Sequence, residues 1–332
     1  MTIQVNKKVY RPTYDVYVHP TAGVGDYTSI ATALSTEGAN KSIYVSRGTY
    51  SESENVYFLE GQNVHFEPGT IIDFGANAVV FGTSGTPFSY AGQTATFAAG
   101  DTKIVTSADI SGSIDDTYDI FFSGRLCDIT NVSGVNLTIA VGDRFNDAVG
   151  SQPFVISKFV KNITLSGEVT INKDIGTIIS FGQAYNLNAK NLKLRQTDAF
   201  GDGGLVACAI ANVVSSSFGE LILDKVTDAS AFGIGVNLGD SLDNKFDIVR
   251  INDVEGATNG KAFNVQANSS YNNINAIIRL SKGSSGTGVG ISYDSYNGGV
   301  WVGNRITVSS SDLEDGNDTG GGGNSITQID TP

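Results

Sequence analysis

The segments Ser241-Leu-Asp-Asn-Lys-Phe-Asp-Ile-Val-Arg-Ile-Asn252 and Ser270-Tyr-Asn-Asn-Ile-Asn-Ala-Ile-Ile-Arg-Leu-Ser281 decide the fold, because they read as two copies of one unit. Asn244 and Asn273 hold matching places in the two copies, at an offset of 273 − 244 = 29. A repeat of this length predicts a solenoid, in which each unit buries its apolar face against its neighbours.

Further offsets between Asn186 and Arg305 support the same period. Arg250 and Arg279, each at the end of an apolar run, are again offset by 279 − 250 = 29. Weaker copies of the unit begin near Tyr185 and Ser215. Short apolar runs end at Ile210, Val236, Val265 and Ile291, and the steps between these positions are 26, 29 and 26.

The runs inside each unit are those of strands and turns. They are short and rich in Ile, Val, Leu and Phe, and some alternate, as in Asn162-Ile-Thr-Leu-Ser166 and Asn191-Leu-Lys-Leu-Arg195. Gly, Asn, Ser and Asp separate them. Helical repeats, leucine-rich repeats and propeller blades do not fit this pattern or length. We therefore predict an all-β parallel β-helix, in which each strand pairs with its equivalent about 4.8 Å away in the next coil.

Composition excludes several classes of partner. The chain of 332 residues has a net charge of −13, with 21 Lys and Arg against 34 Asp and Glu. It has no basic patch, so we expect no nucleic-acid partner. No apolar run approaches the length that a membrane-spanning helix needs, so we expect no membrane insertion. The N-terminus lacks the apolar core of a signal peptide, and Cys127 and Cys208 are expected to be buried free thiols.

The N-terminal region carries the most specific pattern. Val16 to Leu34 reads Val-Tyr-Val-His-Pro-Thr-Ala-Gly-Val-Gly-Asp-Tyr-Thr-Ser-Ile-Ala-Thr-Ala-Leu: a strand, a glycine turn and a short helix. Asp26 or Thr28 is the expected N-cap, with Ile30, Ala33 and Leu34 on the buried face. The segments Ser42-Ile-Tyr-Val-Ser-Arg-Gly-Thr-Tyr-Ser-Glu52 and Gln62-Asn-Val-His-Phe-Glu-Pro-Gly-Thr-Ile-Ile-Asp-Phe74 follow.

This order over residues 16–74 resembles the start of the pectin-lyase-like superfamily of right-handed β-helices. In that superfamily a helix with this Gly-x-Gly-Asp-Tyr-Thr pattern plugs the N-terminal end, and an apolar-x-Val-x-x-Gly-x-Tyr-x-Glu strand opens the first coil. The resemblance implies a right-handed parallel β-helix with a short N-terminal capping helix. Since pectate lyases, methylesterases, epimerases and bacteriophage tailspikes share this start, it predicts the fold better than the activity. The acidic, glycine-rich chain without a signal peptide looks most like a tailspike.

The expected organisation is one solenoid with two extensions. Residues 1–15 form an N-terminal arm, 16–40 the capping strand and helix, 41–311 the β-helix, and 312–332 a flexible tail. Residues 75–160 are the least regular part, and their apolar runs are compatible with further coils that carry longer turns. About eleven coils would give a rod of about 50 Å.

The catalytic motifs of the pectin-degrading enzymes are absent. Tyr118-Asp-Ile-Phe-Phe-Ser-Gly124 only faintly echoes the methylesterase pattern, and His19 and His65 are expected to be structural. Glycoside hydrolysis needs two carboxylates, and acids at matching turns of successive coils supply such pairs. Five acids recur at sequence steps of 26 or 29, and Glu255 follows the last of them. They are either a solvated acidic face or candidate catalytic residues: Asp198, Asp202, Asp224, Asp228, Asp253 and Glu255.

Aromatic side chains late in the chain are candidates for sugar binding, because they lie among Asn, Ser and Gly; they equally suit a subunit interface. These are Tyr271, Tyr293, Tyr296 and Trp301. No cofactor motif is present and no metal site is predicted, since the acidic tail lacks the spacing of a calcium loop.

The resemblance implies a tailspike-like virion protein that acts outside the host cell at its surface. Its expected partners are a bacterial surface polysaccharide, two further copies of itself in a homotrimer, and other virion tail proteins bound through the N-terminus. Cleavage of the glycan by paired carboxylates is left open. The alternatives are a non-enzymatic receptor-binding or structural virion rod, and a secreted polysaccharide lyase or adhesin.

Overall fold

The computed structural model describes residues 14–84, 86–87, 93–143, 145–174, 176–196, 205–224, 226–228, 232–252, 254–256, 259–266, 269–278, 281–283, 288–294, 303–310 and 325–330. The chain forms a right-handed parallel β-helix with an N-terminal capping helix, as predicted. No helix in the described ranges is long and apolar enough to cross a membrane.

The first coils are built from one helix and six strands. The helix α1 spans Ile30–Glu37, and the strands are β1 (Val16–Val18), β2 (Ser42–Val45), β3 (Gly48–Ser51), β4 (Val56–Tyr57), β5 (Asn63–Asp73) and β6 (Phe81–Thr83). Residues after β6 form a separate lobe with one 3-10 helix (Val141–Asp143) and the strands β7 (Thr86–Pro87), β8 (Ala95–Phe97), β9 (Lys103–Thr106), β10 (Asp119–Phe122), β11 (Arg125–Ser133), β12 (Asn136–Ile139), β13 (Val149–Gln152) and β14 (Phe154–Lys158).

The remaining coils contain only strands in the parts that the structure describes. They are β15 (Val160–Lys161), β16 (Thr164–Lys173), β17 (Ile179–Gly182), β18 (Ala184–Tyr185), β19 (Asn188–Ala189), β20 (Leu192–Gln196), β21 (Leu205–Ala211), β22 (Ser217–Leu223), β23 (Val226–Asp228), β24 (Phe232–Gly239), β25 (Lys245–Ile251), β26 (Val254–Gly256), β27 (Asn259–Gln266), β28 (Asn273–Ile278), β29 (Ser281–Gly283), β30 (Gly288–Asp294), β31 (Arg305–Ser310) and β32 (Ser325–Asp330).

The strands stack into parallel sheets along the axis of the solenoid. The longest, sheet 1, runs β1-β2-β5-β16-β19-β22-β25-β28-β31-β32, which is ten successive rungs of described strands. Sheet 2 runs β4-β6-β17-β21-β24-β27-β30, and a short sheet 3 contains β23, β26 and β29. Each coil therefore contributes one rung to each sheet that it crosses.

The capping helix α1 closes the apolar end of the stack. Ile30, Ala33 and Leu34 are fully buried, as their spacing predicts. The N-cap is Ser29, and the predicted Asp26 and Thr28 are wrong. The Ser29 hydroxyl accepts from Thr32 N at 3.1 Å, and its backbone is extended.

The residues that carry the family resemblance hold this cap in place. The Glu52 carboxylate accepts from Ile30 N at 2.6 Å and from the Ser29 hydroxyl at 2.8 Å, so it satisfies the start of α1. Burial raises the pKa of Glu52. The Tyr50 hydroxyl donates to Val18 O at 3.1 Å and to Ser46 O at 2.8 Å. The motif therefore maintains the fold and leaves the function undetermined.

The register between coils corrects part of the predicted alignment. In the regular coils Val236 pairs with Phe263 (263 − 236 = 27) and Cys208 with Val236 (236 − 208 = 28). Asn273 N donates to Asn244 O at 2.8 Å, but its Cα partner is Lys245.

The predicted alignment of run ends and arginines is wrong for the same reason. The four run ends at Ile210, Val236, Val265 and Ile291 are offset from one another, because Ile210 pairs with Leu238 and Val265 with Tyr293. Likewise Arg250 pairs with Ile277, and Arg279 lies outside the described residues.

The predicted further coils within residues 75–160 are wrong for most of that range. Thr164 on β16 pairs directly with Asn63 on β5, a step of 164 − 63 = 101. The residues between β6 and β15 leave the solenoid and form an eight-stranded antiparallel sheet in the order β13-β8-β9-β12-β11-β10-β14-β7. We call this part, residues 84–159, the inserted lobe. Its alternating apolar residues suit antiparallel and parallel strands equally well.

The predicted flexible tail is also partly wrong. Ser325–Asp330 forms β32, which pairs in parallel with all of β31, from Arg305 opposite Ser325 to Ser310 opposite Asp330. The physical reason is backbone pairing, because each of these six residues has a partner on β31, although Ile326 and Ile329 are three positions apart and do not alternate. The acidic, glycine-rich segment 311–324 lies outside the described residues.

Two apolar cores correspond to the solenoid and the inserted lobe. In the solenoid core, Phe218 and Phe246 pair across adjacent rungs and stack with centroids 4.7 Å apart and planes 7° apart. The second core includes Phe121 and Phe154 of the inserted lobe together with Val214 and Leu242 of the solenoid. The lobe is therefore packed onto one side of the coils.

The histidines and cysteines take the structural places predicted for them. Cys127 and Cys208 are buried and free, and burial raises the pKa of the Cys127 thiol to about 12. His65 lies 3.0 Å from the Ser166 hydroxyl and stacks on Tyr44 with centroids 5.5 Å apart. His19 Nδ1 accepts from Thr21 N at 3.0 Å.

Candidate functional site

Each coil turns from sheet 2 to sheet 1 through a corner whose backbone is left-handed. The N–H of the left-handed residue donates to a carbonyl of the next coil, as from Ser215 to Leu242 O at 3.0 Å and from Asp243 to Ser270 O at 3.1 Å. These residues form a column along the axis. Its members, all with φ between 47° and 69°, are Gly61, Asn162, Asn186, Ser215, Asp243, Tyr271 and Gly303.

A buried ladder of amides supports this column from inside. The side-chain Oδ1 of Asn272 accepts from Asn244 N and Asn244 Nδ2, both at 3.0 Å. The side-chain Oδ1 of Asn304 accepts from Asn272 N and Nδ2 in the same way, again at 3.0 Å. Each amide satisfies both its neighbour's backbone and its neighbour's side chain, so the corner positions are fixed from coil to coil.

The inserted lobe packs on part of this column and leaves a cleft where it ends. The cleft has a volume of about 350 Å³, which is in the range of small-molecule sites. One wall is the lobe and the floor is the solenoid corner. The lining residues are Phe121, Ser123, Gly124, Gln152, Pro153, Leu242, Asp243 and Tyr271.

Tyr271 is the unusual member of the column. Asn, Asp and Gly tolerate a left-handed backbone, whereas a bulky aromatic residue rarely adopts it. Tyr271 has φ of 58° and an exposed fraction of 43%. Its ring lies across Gly303 in the next coil, where an added Cβ would be only 2.7 Å from the ring. The strained backbone thus holds a large aromatic surface open to solvent at the cleft, a type of strain that is common at functional sites.

Asp243 lies one coil from Tyr271, at the matching corner position. Burial raises the pKa of the Asp243 carboxyl, and a hydrogen bond from the Ser215 side chain opposes that rise. The remaining walls are mixed: Phe121 and Leu242 are apolar and buried, while Gln152 and Ser123 contribute hydrogen-bonding groups. An aromatic surface beside acceptors, donors and apolar contacts suits a ligand that has both hydroxyl groups and C–H faces.

A salt bridge fixes the base of the lobe to the solenoid. Lys161 Nζ lies 2.8 Å from Asp119 Oδ2 and 3.9 Å from Asp128 Oδ1. Asp119 and Asp128 are opposite each other on β10 and β11. Burial raises the pKa of Asp119, and Lys161 opposes the rise. The segment with a faint methylesterase pattern, Tyr118 to Gly124, thus forms a hairpin that is anchored at Asp119 and lines the cleft at its tip.

Of the predicted acids, the structure describes the side chain of Asp224 alone, so their pairing stays a prediction. Asp224 lies 3.2 Å from Lys193 Nζ and accepts from Asn252 Nδ2 at 2.9 Å, so it joins adjacent coils. The predicted stack of Asp224 on Asp253 is displaced, because Leu223 pairs with Ile251. Asp228 pairs with Gly256 and Glu255 with Thr227, and the side chains of both acids lie outside the described part. So do Asp198, Asp202 and Asp253.

Of the predicted aromatic residues, the structure places Tyr271 in the cleft. Tyr293 lies on β30 opposite Val265, with its side chain outside the described part, and Tyr296 and Trp301 are also outside it. The sequence reasoning missed Asp243. Aligning Ser241 with Ser269, instead of Ser270, would have placed Asp243 opposite Tyr271. The lobe residues that line the cleft carry no comparable signal.

No protein-family model matches the sequence, and no curated protein is similar to it. The solved structures that are similar to the chain include three phage tailspikes. That of Acinetobacter baumannii bacteriophage AP22, solved with an A. baumannii capsular saccharide, is 11% identical with a TM-score of 0.32, over 91% of this chain and 72% of that one. That of Pseudomonas phage phi297 is 8% identical with a TM-score of 0.40, over 91% and 66%.

The tailspike of Pseudomonas phage LKA1 is 12% identical, with a TM-score of 0.40, over 86% of this chain and 54% of that one. The chain thus spans between 54% and 72% of the length of these three proteins. At these identities the likeness concerns the fold alone.

Proposed function

We propose that the chain is a tailspike-like protein that binds a bacterial surface polysaccharide in the cleft between the inserted lobe and the solenoid corner. The observation that carries the proposal is the exposed ring of Tyr271, held by a left-handed backbone over Gly303. A sugar ring can place its C–H face on such an aromatic surface while its hydroxyl groups bind Asp243, Gln152 or Ser123.

The test is the variant Tyr271→Asn. Asparagine occupies the same corner position at residues 162 and 186, so the backbone is preserved and the strain is relieved. We expect at least tenfold weaker binding to the polysaccharide, measured by calorimetry, and a stability that is unchanged or raised by up to about 1 kcal/mol. Val141→Ala is the control, because Val141 is 70% exposed on the lobe and does not line the cleft. Unchanged affinity in Tyr271→Asn would contradict the proposal.

Assembly and location form part of the same proposal. The chain acts as a homotrimer in a virion tail, at the outer surface of the host cell, and other tail proteins bind it near its N-terminus. The support is the resemblance of residues 16–74 to the start of the right-handed β-helices, which tailspikes share with several enzymes, together with the acidic and glycine-rich composition. Native mass analysis of the purified chain tests the trimer, and a monomeric mass at micromolar concentration would contradict it.

Cleavage of the glycan stays a separate prediction. Within the described residues, Asp243 is the one carboxylate that lines the cleft, whereas glycoside hydrolysis needs a pair. This favours binding without cleavage over the glycosidase alternative. Incubation with host capsule or lipopolysaccharide should then release no reducing ends. Release that disappears in Asp198→Asn, Asp202→Asn or Asp224→Asn would instead support the predicted acid pairs.

A further inference from the structure

The described lining of the cleft carries a negative charge and no positive one. Among its described lining residues Asp243 alone carries a charge, on a chain whose net charge is −13. The Arg125 guanidinium donates to Gly142 O at 3.2 Å and lies over the Phe145 ring at 5.8 Å. Lys245 lies 2.6 Å from Asp247 in a pair whose side chains are more than half exposed, and Arg305 is exposed two residues after Gly303. None of these cations is among the described lining residues, so an acidic sugar on Tyr271 would meet the carboxylate of Asp243 there.

The hydrogen-bonding chemistry of Asp243 also disfavours an acidic sugar. An ionised carboxylate only accepts hydrogen bonds, so it binds ligand groups that donate, such as hydroxyl, amine and amide N–H. Asp243 and Tyr271 occupy matching positions one coil apart, a separation of about 4.8 Å. A sugar ring on Tyr271 thus presents its substituents to Asp243. A uronate or sialate carboxylate at that place offers acceptors only and adds like-charge repulsion.

The remaining walls favour a small apolar substituent. Phe121 and Leu242 are each 2% exposed and Pro153 is also buried, so together they present only a small apolar area to the cleft. The side-chain amide of Gln152 lies beside it and offers both a donor and an acceptor. This combination fits an N-acetyl group, or the methyl group of a 6-deoxy sugar.

We infer that the cleft selects a polysaccharide whose bound residue has no acidic group and bears an N-acetyl or 6-deoxy methyl substituent, with Asp243 as the specificity-determining residue. The inference rests on the proposed function, because it concerns the ligand of the same cleft. Asp243 excludes acidic sugars and binds hydroxyl or N–H donors, and the apolar wall receives the methyl group.

The experiment uses an array of bacterial capsular and lipopolysaccharide glycans of known composition, divided into neutral and acidic members. The full chain and Asp243→Asn are compared on it. Asparagine tolerates the left-handed backbone of position 243, where φ is 57°, and keeps a hydrogen-bonding side chain. We expect the native chain to bind neutral N-acetylated or 6-deoxy glycans, and Asp243→Asn to raise the affinity for acidic glycans relative to neutral ones at least tenfold.

The outcomes separate the two proposals. Native binding that is strongest for acidic glycans overturns the inference and leaves the proposed function intact. An unchanged ratio of acidic to neutral affinity in Asp243→Asn overturns the role of Asp243. Tyr271→Asn on the same array tests the cleft itself, and the absence of any glycan binding by the native chain overturns the proposed function and the inference together.

Discussion

The solenoid coils and the inserted lobe both bury short apolar strands, but the coils pair them in parallel and the lobe pairs them antiparallel. In the coils each strand pairs in parallel with its equivalent one coil further along the chain, so one column of side chains repeats along the axis. In the lobe the strands pair in antiparallel order, partly through hairpins such as β10–β11 and β8–β9 and partly between strands that are distant in the chain, such as β13 and β8.

This difference explains where the candidate site lies. Equivalent positions of the repeating column have the same backbone conformation. Its corner residues are mostly Gly, Asn or Ser with a left-handed backbone. The lobe breaks that equivalence, because it covers Val214 and Leu242 and ends short of Tyr271. The cleft thus lies where the non-repeating part meets the repeating one.

Removal of the lobe is the strongest way to test this comparison, because binding should be abolished. Thr83 pairs with Phe181 and Val160 pairs with Ala184. In the next coil the same step takes only Gly182 and Gln183, so a Gly-Asn link can replace residues 84–159. We expect circular dichroism to show a β-rich chain that still unfolds cooperatively, with no glycan binding.

The control for this deletion addresses the surface that it exposes. Leu242 packs against the lobe, so the deletion should also be made with Leu242→Ser to keep the protein soluble. If the deleted chain fails to unfold cooperatively in both versions, the solenoid depends on the lobe and the two regions are not separable.

The amide ladder is the next largest test, and it probes the register. Asn272→Ala leaves Asn244 N and one N–H of Asn244 Nδ2 without their buried acceptor, and it removes one of the two hydrogen bonds to Ser241 O. We expect a loss of about 3–4 kcal/mol in the free energy of unfolding, measured with urea. Asn273→Ala is the matched control, since Asn273 is exposed and should cost less than about 0.5 kcal/mol. Equal losses would show that the alignment is off by one.

The smallest expected effect concerns the joint between the two regions. Lys161→Met leaves the opposed carboxylates of Asp119 and Asp128 without their cation. The side chains of Lys161 and Asp119 are mostly buried, whereas Asp128 is exposed, so we expect a loss of about 1–2 kcal/mol at neutral pH. Lys245→Met removes a pair in which both side chains are more than half exposed, and should change little.

The pH dependence of Lys161→Met has a definite sign. The folded pKa of Asp119 is raised, mainly by burial, so ionisation of Asp119 opposes folding at neutral pH. As the pH falls through that raised pKa, Asp119 becomes neutral and the penalty in Lys161→Met should shrink. Urea unfolding at neutral and mildly acidic pH measures this. A penalty that grows in acid would contradict the account of the joint.

The sequence predicted the features that repeat or that follow local rules. The capping helix, its buried face and the first coil follow from Val16 to Glu52, because Ile30, Ala33 and Leu34 mark one buried face and Glu52 holds the start of the helix. The period of the coils follows from the units at Ser241 and Ser270. Their exact register does not, because Asn272 and Asn273 are adjacent and either one aligns with Asn244.

The lobe and the cleft could be predicted much less well. Strand alternation is the same in hairpins and in coils, so nothing in residues 84–159 distinguishes an antiparallel excursion from further rungs. The cleft joins Phe121 and Gln152 to Tyr271, which lie far apart in the chain, and no motif spans that distance. Tyr271 was predicted because an aromatic among turn residues is conspicuous, whereas Asp243 was hidden among many acids.

The place where the lobe leaves and rejoins the rod has an evolutionary consequence. Thr83 and Val160, which flank the lobe, lie opposite Phe181 and Ala184 in the next coil. Recombination can therefore replace the whole lobe with another segment without changing the register of the coils. One wall of the cleft would change in one event, while the tyrosine floor stayed in place. Related proteins with this fold can therefore differ in the proposed binding cleft while the solenoid stays the same.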